Sequence, residues 1–211
     1  MPTSKLISGY RRFRKRYKED QQLFEKLAEE GQSPKVMWIG CSDSRVVPEL
    51  ITGADPGEIF IVRNIANLVP PSYSPACATG AGVEYAVLHL KVAHIVICGH
   101  TNCGGIAALD AVLDPTTQPS IVAWLDLARP AKDAVLAAGV PEAARSIETI
   151  KTNVLLQIDN LRTYPCVAEH ERDGRLKLHA WLYDIKAGWI FSYHFASATW
   201  KPASQHVPLA E

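Results

Sequence analysis

Two short apolar runs, Val36-Met37-Trp38-Ile39-Gly40 and His94-Ile95-Val96-Ile97-Cys98, constrain this chain more than any other feature. Each is bounded by turn signals, as a strand buried on both faces should be. Between them, Glu58–Val62 follows the Asp55-Pro56-Gly57 turn and reads as a further strand, while Thr79–Val92 has helix length with apolar residues on more than one face. Strand and helix in alternation require right-handed crossovers. They predict an α/β fold with a mostly parallel central sheet and flanking helices. In such sheets ligands bind beyond the carboxyl ends of the strands, above all where the strand order reverses. Cys41 follows the first run directly, and His100 follows the other after a single glycine.

The flanking segments read as scaffold. Residues 10–30 place Tyr10, Phe13, Tyr17, Phe24 and Leu27 near one helical stripe among Arg and Lys, which predicts an amphipathic helix whose basic side is solvated. With the loop Gly31-Gln32-Ser33-Pro34 it forms an N-terminal packing arm, 1–34, ahead of a single domain, 35–211. Further helices are expected around 105–113, 119–138 and 142–162, with Pro115, Pro119, Pro130 and Pro141 as boundaries or kinks. Leu176–Ile185 and Trp189–Phe195 flank Lys186-Ala187-Gly188, predicting C-terminal antiparallel hairpin strands.

Charge and cysteine usage narrow the function classes. Lys+Arg 22 against Asp+Glu 22 leaves no net attraction to nucleic acid or an anionic membrane, and neither is expected as a partner. The first twenty residues lack the apolar core of a secretory signal, and no apolar run is long enough to cross a bilayer, so a cytoplasmic location is expected. Five cysteines, at 41, 77, 98, 103 and 166, are then expected as reduced thiols, metal ligands or small buried side chains.

Cys41-Ser42-Asp43-Ser44-Arg45 and His100-Thr101-Asn102-Cys103-Gly104-Gly105 bring two thiols, an imidazole and a carboxylate to one sheet edge. Thiolate and imidazole are preferred zinc donors, and three protein ligands leave a fourth position open in a catalytic site. Asp43 decides that position. It closes the site if it binds the metal, or leaves it open if Arg45 holds it in a forked ion pair. A lone Cys or His is ordinarily a packed side chain, and Cys77, Cys98, Cys166, His89 and His94 read that way.

The two segments CSDSR and HTNCGG resemble the paired zinc motifs of the β-carbonic anhydrases. Pro56-Gly57-Glu58, Arg63-Asn64-Ile65-Ala66-Asn67, Glu84 to Leu90 and Ile97 to His100 resemble family segments in the same order. The resemblance implies one Zn2+ per chain on Cys41, His100 and Cys103, and a catalytic pair of Asp43 and Arg45. It also implies a substrate pocket of Gln32, Phe60, Ile65 and Tyr85 with a backbone contact at Gly104, and a dimer or multiple of dimers with pockets at the dimer interface. Ile65 stands where plant-like members commonly carry Val. Some bacterial members close the zinc site with the aspartate and bind regulatory bicarbonate, and Trp38, Arg63 and Tyr183 match their regulatory set. Gln32 and the segment around Arg63 resemble the open group, so an open, unregulated site is expected.

The implied reaction is the reversible hydration of carbon dioxide to bicarbonate and a proton by zinc-bound hydroxide. Zinc lowers the pKa of its water to roughly 7 in a three-histidine carbonic anhydrase, the example from which that magnitude is taken. Hydrolysis of carbonyl sulfide or carbon disulfide would use the same nucleophile. A non-catalytic zinc or bicarbonate-binding protein would have no need of the Asp43 and Arg45 pair. Carbon dioxide and bicarbonate are the expected small-molecule partners.

Overall fold

The computed structural model describes residues 2–74 and 77–203. Residues 204–211, the end of the expected 35–211 domain, lie outside the described residues. Contacts divide the chain after Ser33 into two compact units.

The first unit differs from the single helix expected over 10–30. Helix α1 spans Pro2–Glu19 and α2 spans Gln21–Glu30, broken at Asp20, whose backbone leaves the helical region at φ −104 and ψ 21. Aromatic packing accompanies the break. Phe13 and Tyr17 of α1 meet Phe24 of α2 at ring-centroid distances of 5.9 and 4.7 Å, so the apolar stripe folds partly on itself.

The second unit is a six-stranded mixed sheet with flanking helices. Its elements, in chain order, are β1 (Val36–Cys41), α3 (Pro48–Thr52), β2 (Ile59–Asn64), α4 (Ala78–Glu84), β3 (His94–His100), α5 (Gly104–Ala107), α6 (Pro119–Leu125), α7 (Arg129–Ala137), α8 (Glu142–Arg162), α9 (Pro165–Arg172), β4 (Lys177–Asp184), β5 (Trp189–His194) and β6 (Thr199–Pro202). Strand order is β2-β1-β3-β4-β5-β6. The first three pairings are parallel and the last two antiparallel. The order therefore reverses at β1, which lies between β2 and β3, and the carboxyl ends of β1 and β3 flank the crevice.

Strand alternation sorts the side chains of β1. Met37 and Ile39 join the large core with Val83, Val87, Val154 and Ile158, while Trp38 belongs to a smaller cluster with Val96 and Cys98. Several helices depart from their expected limits. The stretch after α4 continues through Tyr85–His89 as a π-helical turn, with the Leu90 amide bonding the Tyr85 carbonyl at 3.0 Å. The helix expected over 105–113 ends in a 3-10 turn at Asp110, and that over 119–138 divides at 126–128, with Pro130 in the first turn of α7, where its missing N–H does no harm. Helix α8 matches its expected limits; α3, α9 and β6 were not expected.

Candidate metal centre

Cys41 ends β1 and His100 ends β3, one on each side of the reversal point. Cys103 comes three residues later, after Asn102 turns the backbone through the left-handed region at φ 56, a conformation that asparagine tolerates better than most residues. Cys41 and Cys103 sulfurs lie 4.0 Å apart, and one ligand atom from each of Cys41, His100 and Cys103 falls within 4.8 Å of the others. Two sulfurs each about 2.3 Å from a tetrahedral zinc stand about 3.8 Å from one another, so the spacing fits such an ion. All three residues are buried.

His100 is oriented for ligation. Its Nδ1–H donates to the Thr101 carbonyl at 3.0 Å, and its Nε2 is buried without a hydrogen-bond partner. An unpartnered buried ring nitrogen beside two sulfurs is the arrangement a metal completes. The Cys103 thiol, first, and then His100 and the nearby backbone pull the Cys41 thiol well below the ordinary thiol range against the opposing effect of burial. Cys103, facing that thiolate in a buried site, is pushed up.

Both oxygens of Asp43 are engaged by Arg45. Its Oδ1 accepts from the Arg45 backbone amide at 3.0 Å and from Arg45 Nε at 2.9 Å, and its Oδ2 accepts from Arg45 Nη2 at 2.7 Å. This fork, with the charge beside it, keeps the carboxyl well below the usual carboxylate range. The same Nη2 donates to the Asn102 carbonyl at 3.1 Å, tying the two motifs together. Asp43 Oδ2 remains 3.9 Å from His100 Nε2 and so faces the ligand cluster.

Of the expected pocket residues, Phe60 and Tyr85 have ring centroids 5.9 Å apart, and Tyr85 stacks on His89 at 5.2 Å. Ile65 and Tyr85 are exposed; Gly104 opens α5 directly after Cys103. Gln32 belongs to the first unit. Of the expected regulatory set, Trp38 is buried with its indole N–H unpartnered, and Tyr183 packs against its cluster. Arg63 donates to the backbone carbonyls of Cys41 at 2.9 Å and Asp43 at 2.7 Å. It thereby braces the loop between ligand and carboxylate. Sequence reading missed the parts played by the Thr101, Asn102 and Ala66 backbones, because a peptide group carries no residue signature; only their place inside or beside the motifs pointed to them.

The carbonic anhydrase family model matches residues 36–190. A carbonic anhydrase of Pseudomonas aeruginosa is 42% identical over 203 residues, covering 95% of this chain and 92% of that protein. Among solved structures, the β-carbonic anhydrase CcaA superposes with a TM-score of 0.89 at 32% identity, covering 95% of this chain and 91% of that one. One of the tetrameric β-carbonic anhydrases from Sordaria macrospora gives a TM-score of 0.77 at 37% identity, covering 89% and 93%.

Proposed function

This chain belongs to the β-carbonic anhydrase family, and we propose that it hydrates carbon dioxide reversibly to bicarbonate and a proton at one zinc ion held by Cys41, His100 and Cys103. The observation that carries the reading is the buried ligand triad with an unpartnered His100 nitrogen, faced by a carboxylate whose two oxygens are both engaged by Arg45. Zinc at such a site supplies Lewis acidity that makes a strong oxygen nucleophile available near neutral pH.

The protein's own groups do the rest. Asp43 accepts a hydrogen bond from the nucleophile and turns a lone pair toward the carbon of the substrate. Arg45 keeps that carboxylate ionised and fixed in direction. The apolar side chains of Phe60, Ile65 and Tyr85 suit an uncharged, apolar substrate, while the Gly104 backbone N–H is the donor for negative charge developing on its oxygens. A proton then leaves to solvent.

The Asp43 and Arg45 fork supports an open site. The unpartnered Trp38 indole favours keeping the regulated reading, in which an anion sits near Trp38, Arg63 and Tyr183. Because the Sordaria macrospora neighbours are tetrameric, assembly as a dimer or multiple of dimers is part of the proposal, measurable by light scattering after gel filtration. So is a cytoplasmic location; among the described residues no helix is long and apolar enough to cross a membrane.

Stopped-flow hydration from about pH 6.5 to 9 on metal-quantified wild type and Asp43→Ala tests the reading. Fast hydration in the wild type and a large loss in the variant with zinc retained is the expected result. A steep onset above about pH 8 would replace the open site by the regulated one, and no hydration with one zinc per chain would end the assignment.

A further inference from the structure

Helix α8 carries amides where its packing calls for apolar side chains. Asn153 and Gln157 are 1% and 0% exposed within the stripe formed by Ile150, Val154, Ile158 and Leu161, and Asn160 stands one turn further along. Buried amides persist only when bonded, and Asn153 and Gln157 form one chain with the half-buried Asn160. Asn153 Nδ2 donates to the Ala66 carbonyl at 3.2 Å, and Gln157 Nε2 donates to Asn153 Oδ1 at 2.9 Å. Gln157 Oε1 accepts from the Val69 amide at 2.8 Å and from Asn160 Nδ2 at 3.1 Å, and Asn160 Nδ2 also reaches the Val69 carbonyl at 2.9 Å.

What Asn153 holds is an unfavourable piece of backbone next to the candidate ligands. Ala66 and Asn67 both adopt left-handed conformations, at φ 62 and 50, without a glycine between them. The turn Ile65–Asn67 touches β1, β3 and α5, the elements that carry or adjoin Cys41, His100 and Cys103. The approach to α5 is so close that a Cβ on Gly105 would meet Ile65 Cγ2 at 2.9 Å and Ala66 Cβ at 3.0 Å. Ala66 shares a buried cluster with Cys41 and Cys103.

We propose that Asn153 is a positioning residue for the metal centre: by holding the Ala66 carbonyl, it seats the Ile65–Asn67 turn against Cys41 and Gly105. The inference rests on the metal reading above. Partners that orient metal ligands typically change metal affinity by about ten- to a hundredfold when removed.

The test compares Asn153→Leu with Asn160→Leu in the full chain loaded with cobalt(II). Both changes remove a hydrogen-bonded side-chain amide from the same helix, but Asn160, half-buried, holds Val69 rather than Ala66. Asn153→Leu is expected to release cobalt to a chelator about ten- to a hundredfold faster and to shift the thiolate-to-cobalt absorption band. Asn160→Leu is expected to lower the melting midpoint yet leave both metal readouts unchanged. Asn153→Ala, which opens space instead of filling it, carries the same expectation if the leucine variant does not fold. Equal metal loosening at 153 and 160, or none at 153, overturns the proposal. A wild type that takes up no cobalt overturns the metal reading itself, whereas a normal wild-type band with unmoved Asn153 variants overturns only the positioning role.

Discussion

Arg45 meets Asp43 along both edges of the carboxylate, with Nε on Oδ1 at 2.9 Å and Nη2 on Oδ2 at 2.7 Å. The fork fixes the direction in which the carboxylate faces the ligand triad. A lysine keeps the charge but is a point donor and cannot make two parallel bonds. Arg45→Lys is therefore expected to lower hydration on the order of a hundredfold, the scale of an ångström-level misplacement, with bound metal unchanged. Stopped-flow rates beside metal analysis check this. Because Arg45 holds Asp43 ionised far below neutral pH, any rise in rate between about pH 6.5 and 9 must come from another group.

His94 Nδ1 and His179 Nε2 lie 3.0 Å apart across β3 and β4. Burial, followed by the charge of His94 and Lys177, pulls His179 down to about 4, and burial with Lys177 lowers His94. Between the ordinary histidine value and that depressed one, the unfolded chain binds protons that the folded chain does not. Stability is thus full above about pH 6.5 and is lost as pH falls toward about 4. His179→Gln is expected to flatten the fall of melting temperature with acid across this window; an equally steep fall in the variant would show that the pair does not contribute.

Metal removal has a sharp expected outcome. On the proposed three-ligand site, chelation at neutral pH should abolish hydration, and zinc should restore it. Cys103→Ala, leaving one sulfur and one imidazole, should hold well below one metal per chain. Elemental analysis of dialysed protein decides this without reference to activity.

Gly40 borders Trp38 so closely that a Cβ there would meet the indole Nε1 at 2.5 Å. Trp38 is itself 1% exposed and packed edge-on against Trp181, so it has little room to yield. Gly40→Ala should cost about 1–3 kcal/mol, the usual range for overpacking. Adding Trp38→Phe removes the clashing edge, so the double variant should be less destabilised than the sum of the singles by roughly 0.5 kcal/mol or more. Urea denaturation of the four proteins measures the coupling, and strict additivity would show that the strain is relieved elsewhere.

Much of the candidate site was legible because Cys41, His100 and Cys103 sit inside short motifs at or just past strand ends, and strands declare themselves as apolar runs. The spacing of Cys41 and Asp43 survives folding almost unchanged, since residues so near in sequence remain near in space. Longer-range features were hidden. The break at Asp20 depends on rings from both sides finding each other, and an amphipathic stripe looks the same in one helix as in two. Strand β6 has only four residues, too few for a periodic signal. The amides at 153, 157 and 160 were visible at helical spacing, but the backbone they hold is about 90 residues away in sequence, and nothing local connects the two.

Strand β1 is hydrogen-bonded on both sides, residue for residue, from Val36 to Gly40 against β2 and β3 alike. Losing or gaining one residue there would turn Cys41 to the opposite face and break two ladders at once. The segment between Ala111 and Gln118 joins a 3-10 turn to α6 outside the sheet, largely exposed. Changes in length are therefore expected to be accommodated along that segment, whereas the stretch from Val36 to Cys41 acts as a ruler that admits no insertion.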